Sequence, residues 1–189
     1  SEYMQMGLYM DVIIAGFGGQ GVLLVGNMLA HAAMQEGLQV TYMPVYGVEM
    51  RGGTANCTVV ISEEEIGSPL VMYPRSLIVM NQPSLEKFQP RLQEGGVQIV
   101  NTSLVPDSLL DTDRARTIPV PANDLANELG NPKMANMVVL GAWVEATGVL
   151  DLERVKQGLP HVLGKSDEKI IRANHSAMEA GADRVRAYA

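Results

Sequence analysis

Short β-branched apolar runs broken by glycine or proline mark the first two thirds of the chain, and helical spacing marks the last third. Asp11-Val12-Ile13-Ile14-Ala15 reads as a buried strand running into the turn Gly16-Phe17-Gly18-Gly19-Gln20-Gly21. Over residues 22–36, apolar side chains at 22, 23, 25, 28, 29, 32 and 33 keep the helical period, and Gly37 is placed to close the helix in left-handed geometry. Residues 38–43 are expected as a second strand stopped by Pro44, and residues 54–61 as a third that turns Ala55, Cys57, Val59 and Ile61 to one face. The stretch 45–53 is the expected loop between them. Residues 76–80 and 96–100 are further strands, with Pro83 opening a short helix and Gly95-Gly96 turning the chain back; 117–120 is another strand. Helices are then expected over 122–129, 134–147, 152–158 and 166–180. Strands alternating with helices, followed by a helical tail, imply an α/β fold. It is a three-layer α/β/α, Rossmann-like domain with a mainly parallel sheet and a helical C-terminal part. Residues 10–189 are expected as a single domain and residues 1–9 as an extension outside it, Met10 fitting a natural start.

Composition narrows the partners. A length of 189 residues with 47% hydrophobic content suits one domain with a sizeable core. A formal charge of -7 argues against a nucleic-acid partner, whose phosphates need clustered Lys and Arg. Cys57 is the only cysteine, so the chain forms no internal disulfide and cannot supply the ligands of an iron–sulfur cluster; a reducing, cytoplasmic setting fits. The apolar stretch 137–144 is far shorter than the about 20 residues that cross a bilayer, and no membrane association is expected. Without a secretory signal, the Asn-x-Ser/Thr triplets at Asn56, Asn101 and Asn174 read as chance.

Gly16, Gly18 and Gly21 satisfy G-x-G-x-x-G between a strand and a helix, where free amide N–H groups and the helix dipole favour an anion. Gly16, Gly18, Gly19, Gln20 and Gly21 are therefore the candidate cofactor-binding turn. The same glycines also suit a sharp turn with close helix–sheet packing and no ligand. A dinucleotide site wants an acidic residue about 20 positions on, where this chain has Met43-Pro44-Val45-Tyr46, and no Lys-Ser/Thr pair follows the glycines as in a P-loop.

The stretch Tyr46-Gly47-Val48-Glu49-Met50-Arg51-Gly52-Gly53-Thr54-Ala55-Asn56-Cys57 concentrates opposite charges and glycines between strands, a composition that carries function more often than packing. With the Gly-rich turn it resembles the gamma chain of 2-oxoacid:ferredoxin oxidoreductases. Glu65-Ile66-Gly67-Ser68-Pro69, Met80-Asn81-Gln82-Pro83-Ser84 and Asn131-Pro132-Lys133-Met134-Ala135-Asn136-Met137 follow in the order that family shows, and the resemblance runs from Met10 to about Ala180. The wording of 55–57 and 66–69 is most similar to chains handling 2-oxoglutarate or branched-chain 2-oxoacids. The resemblance implies a subunit, inactive alone, of an enzyme that turns a 2-oxoacid and coenzyme A into acyl-coenzyme A and carbon dioxide while reducing ferredoxin. It implies alpha, beta and ferredoxin-like delta partner subunits holding thiamine diphosphate and iron–sulfur clusters, because this chain has neither the cysteines nor a Gly-Asp-Gly…Asn motif. No cofactor is expected on this chain alone.

Tyr46, Glu49, Arg51, Gly52 and Gly53 are the candidate interface or ligand loop. Glu49 and Arg51 are placed either to pair with each other or to offer one charge each to a partner or ligand. Cys57, between apolar neighbours, reads as a small buried hydrophobe rather than a nucleophile. His31, His161 and His175 lack neighbours at metal-ligand spacing, and no catalytic or metal-binding residue is assigned. Met134, Met137, Val138, Leu140 and Gly141 form a stripe expected to pack on the sheet. The competing readings are a subunit of the related indolepyruvate oxidoreductase, a stand-alone nucleotide-binding protein, and a small interaction module.

Overall fold

A computed structural model describes residues 7–46, 54–164 and 167–188, with Tyr46 by its backbone alone. Six strands form one sheet in the order β2-β3-β1-β4-β5-β6: β1 (Tyr9–Phe17), β2 (Gln39–Tyr46), β3 (Thr54–Ser62), β4 (Ser76–Val79), β5 (Val97–Asn101) and β6 (Arg116–Val120). β3 runs antiparallel to both β1 and β2, while β1, β4, β5 and β6 are mutually parallel. β2 therefore points the same way as β1, and β3 alone is reversed.

The helices are α1 (Val22–Gln35), α2 (Gln82–Phe88), α3 (Ala122–Glu128), α4 (Ala135–Thr147), α5 (Leu152–Gln157), α6 (Leu159–Leu163) and α7 (Glu168–Tyr188). One face of the sheet offers Val12, Ile14, Cys57, Val59, Ile61, Ile78, Ile99 and Ile118 to a large core shared with α1, α3, α4 and α7. The other face offers Ile13, Ala15, Leu77, Val79 and Val100 to a smaller core under α2. Helices thus cover both faces, but very unequally. Period-2 alternation along β1 produces this division: Val12 and Ile14 point one way, Ile13 and Ala15 the other.

Several boundaries differ from expectation, each for a physical reason. β1 begins at Tyr9, paired with Ser62, so Tyr9 belongs to the sheet rather than to an extension outside the fold. Pro44 does not stop β2, which continues to Tyr46 opposite Ala55 and so removes residues 45 and 46 from the expected loop. β2 is an edge strand, where a missing N–H costs no ladder bond on the open side. α7 runs on to Tyr188. α4 is buried all round from Ala135 to Val144 rather than along one stripe, because the sheet lies under it and α7 over it. Among the described residues no helix is long and apolar enough to cross a membrane.

Candidate functional site

The connections after β1 and β4 leave the sheet on opposite faces: α1 joins the larger core and α2 the smaller one. The chain also moves to opposite sides of β1, towards β2 through α1 and towards β5 through α2. In open α/β sheets, ligands sit in the crevice at the carboxyl ends of the strands where the winding reverses. Here that crevice is the Gly-rich turn after β1, beside Met80 and Asn81 after β4.

Inside the turn, the Gln20 N–H donates to the Phe17 carbonyl at 3.1 Å, and the Phe17 N–H donates to Gln20 Oε1 at 2.6 Å. The Gln20 side chain thus folds back to brace the turn. Gly19 and Gly21 take φ of +90° and +76°, which only glycine adopts freely, and Gly21 is the N-cap of α1. No side chain caps α1 and no acidic residue lies in its first turn, so the dipole end of a 14-residue helix faces the turn without a side-chain acceptor. A Cβ on Gly16 would stand 2.6 Å from Gln20 Oε1 and 2.9 Å from Met80 Cβ, so the end of β1 lies close against the Gln20 and Met80 side chains with no room for one of its own.

Residues unassigned at the sequence level build the rest of the edge. Asn136, at the start of α4, lies against Gly21, its Nδ2 donating to the Gly21 carbonyl at 3.4 Å; any Cβ on Gly21 would collide with it. Asn101, fully buried at the end of β5, donates from Nδ2 to the Met80 carbonyl at 3.1 Å and to Asn123 Oδ1 at 2.7 Å. Its Oδ1 accepts from the N–H groups of Ala122 and Ser103 at 3.1 and 3.2 Å. Asn81 Oδ1 accepts from the Ser84 N–H at 3.0 Å as N-cap of α2, while its buried Nδ2 has no protein partner among the described residues. Asn136 and Asn81 were legible as parts of matched motifs without a role; Asn101 stood out only in an Asn-x-Ser/Thr triplet read as chance.

Glu49, Arg51, Gly52 and Gly53 lie outside the described residues. Their anchors are informative: Phe17 pairs with Thr54, and Ala55 is flanked by Gly16 and Tyr46. The stretch 47–53 therefore leaves and re-enters the sheet at the edge that carries the Gly-rich turn. β3 separates β2 from β1, so the end of β2 stands two strand spacings, about 10 Å, from β1.

Cys57 packs away from this edge against α1, its thiol donating to the Val22 carbonyl at 3.5 Å, and burial pushes its pKa up to about 12 despite an opposing backbone hydrogen bond from Gly26. It stays a protonated thiol. His31 and His161 stack with centroids 5.3 Å apart, and His175 Nε2 lies 3.1 Å from the Lys156 carbonyl. Among the described residues no three His, Cys, Asp or Glu groups gather where a metal ion could sit. The edge can therefore present amide N–H groups and Asn amides, with Asp124 beyond Asn101 held by the Ser103 hydroxyl, which donates to its Oδ2 at 3.0 Å.

The sequence matches the family described as pyruvate ferredoxin/flavodoxin oxidoreductase over residues 11–184. It is 44% identical to ketoisovalerate oxidoreductase subunit VorA of Methanothermobacter marburgensis over 93% of this chain, though it spans only 36% of that relative's length. It is 36% identical to 2-oxoglutarate synthase subunit KorC of Methanothermobacter thermautotrophicus, over 90% of this chain and 92% of the relative. The crystal structure of a keto/oxoacid ferredoxin oxidoreductase gamma subunit from Geobacter sulfurreducens superposes with a TM-score of 0.80 at 29% identity, covering 94% of this chain and 99% of that one. Sequence and overall fold agree, and the chain belongs to the pyruvate ferredoxin/flavodoxin oxidoreductase family.

Proposed function

We propose that the chain is the gamma-type subunit of a multi-subunit 2-oxoacid:ferredoxin oxidoreductase. The assembly oxidatively decarboxylates 2-oxoglutarate, a branched-chain 2-oxoacid or pyruvate to an acyl-coenzyme A and reduces ferredoxin. The observation that carries this is the near end-to-end match to a KorC subunit at 36% identity. The redox cofactors do not fit this chain: the single cysteine is fully buried against α1 with its thiol protonated, so it cannot begin an iron–sulfur ligand set. Thiamine diphosphate and the clusters therefore belong to alpha, beta and ferredoxin-like delta subunits, and the electron path bypasses this chain.

What this chain contributes is positioning. Gly16, Gly18, Gly19 and Gly21, braced by Gln20, present the N-terminus of α1 to an anionic group, of which coenzyme A carries several. Tyr46, Glu49, Arg51, Gly52 and Gly53 are assigned as the docking loop for a partner chain, on their charges and glycines and on anchors, Tyr46 and Thr54, at the end of the sheet that carries that turn. The test compares the purified chain with the assembled enzyme, both given thiamine diphosphate, coenzyme A, ferredoxin and each 2-oxoacid in turn. The lone chain is expected to show no turnover and the assembly to show it; oxidation of a 2-oxoacid by the lone chain overturns the reading.

A further inference from the structure

The thinly covered face of the sheet carries a second site, away from the Gly-rich edge. α2, the one α-helix on that side among the described residues, packs over β4 and β1. Beyond it, β2 and β3 show their faces, and a groove of about 460 Å³ opens over Ile13, Met43 and Phe88. The connection from β3 to β4 forms one wall, where Leu70, Met72 and Tyr73 are 72%, 67% and 61% exposed. Three large apolar side chains so exposed within four residues, at the lip of an apolar groove, mark a surface made to be covered.

Two polar features show what covers it. Asn56, only 7% exposed, lines the groove, and its amide makes no hydrogen bond among the described residues. Open only to the groove, this amide would need a donor or acceptor from whatever displaced water there. Arg91, also lining the groove, has its guanidinium 5.5 Å from the centre of the Phe88 ring and meets no carboxylate among the described residues. The groove thus asks for apolar side chains, a peptide-like polar group and an acid. Anionic lipid is disfavoured by a net charge of -7, and a second copy would bring the same charge against it. In VorA the region matching this chain is 36% of one polypeptide, so in that relative a longer stretch of chain is covalently at hand.

We infer that this groove docks an extended segment of another chain of the same enzyme, with apolar residues over Ile13 and Met43, a backbone group on Asn56 and an Asp or Glu on Arg91. The inference rests on the subunit reading above and concerns residues other than 46–53. It is tested with the full chain co-produced with the other chains of its enzyme. Met72→Asp and Arg91→Glu are each expected to lower the co-eluting fraction about tenfold, whereas Leu129→Asp, at an exposed apolar position just past the end of α3, leaves it unchanged. Circular dichroism of each variant checks that the fold is kept. A photo-crosslinker in place of Leu70 is expected to capture a peptide of another chain of the enzyme that contains Asp or Glu. If the unaltered chain and both groove variants assemble alike, or the crosslink reaches only a second copy, lipid or nothing, the groove assignment falls and the subunit reading stands. If the unaltered chain assembles with no oxidoreductase chain, the subunit reading falls first.

Discussion

Cys57 shows how far a single residue can be read from its neighbours. Alternation with Ala55, Val59 and Ile61 placed it on the buried face of a strand, and it packs there against α1. Gly26 makes the contact possible, since a Cβ on it would stand 2.7 Å from the Cys57 sulfur. Burial raises the thiol pKa from 9.0 to about 12. The folded chain should therefore resist alkylation at pH 8 and react fully once unfolded in denaturant, as a timed thiol assay would show. The sign for stability follows: between about pH 9 and 12 the unfolded chain gives up a proton that the folded chain keeps, so this contribution is lost as pH rises. Denaturant midpoints measured across that range should fall, and less so for Cys57→Ala. Asn101 is the opposite case, since its four hydrogen bonds involve residues 21 to 22 positions away as well as near ones, and no local pattern announces such a post.

At the scale of elements, the crossing of α4 and α7 holds the C-terminal half together. Ideal Cβ atoms on Gly141 and Gly181 would lie inside the van der Waals radii of the Met178 and Val138 carbonyl oxygens, so the two backbones touch with no side chain between them. Trp143, fully buried two residues further along α4, donates from Nε1 to Ser76 Oγ at 2.9 Å, and Ser76 Oγ donates to the Asp11 carbonyl at 2.7 Å, tying α4 to the sheet. Around the crossing, Lys156 on α5 reaches Glu153 at 3.0 Å and Glu179 on α7. Gly181→Ala must push the helices apart and unseat packing on both. The expected loss is about 3 kcal/mol in equilibrium unfolding, at the upper end for overpacked cores. Gly37→Ala, at an exposed φ of +76° with open space around it, should cost only about 1 kcal/mol. An equal loss from the two substitutions would show that the crossing is not tight.

Across the whole molecule, the sheet order decides what the Gly-rich turn can hold. In a dinucleotide fold the strand after the first helix lies beside the first strand, and an acid at its end reaches the ribose. Here β3 lies between them and Met43-Pro44-Val45-Tyr46 ends β2, so even an acid placed there would stand about 10 Å from β1. NAD and ATP are accordingly expected to bind the chain no more tightly than about 1 mM in calorimetry. A micromolar dissociation constant for either would mean that the turn reaches its ligand by another geometry.

Local information determined much of this protein. Six strands, the glycine turn, α1 with its Gly37 terminus and the main C-terminal helices follow from periods and turn residues, which act within a few positions of the chain. The expected mainly parallel α/β sheet holds in five of six strand directions. Tertiary structure decided the rest, because it depends on which strands become neighbours. Pro44 sits in a strand only because that strand is at an edge, and α4 loses its polar face only because α7 lies over it. Asn136 reaches Gly21, 115 residues earlier, and Asn56 comes to line an open groove only once β3 is inserted between β1 and β2. Burial and alternation are properties of a segment, but the crevice, the close crossing and the groove are properties of pairs of segments, and only packing chooses the pairs.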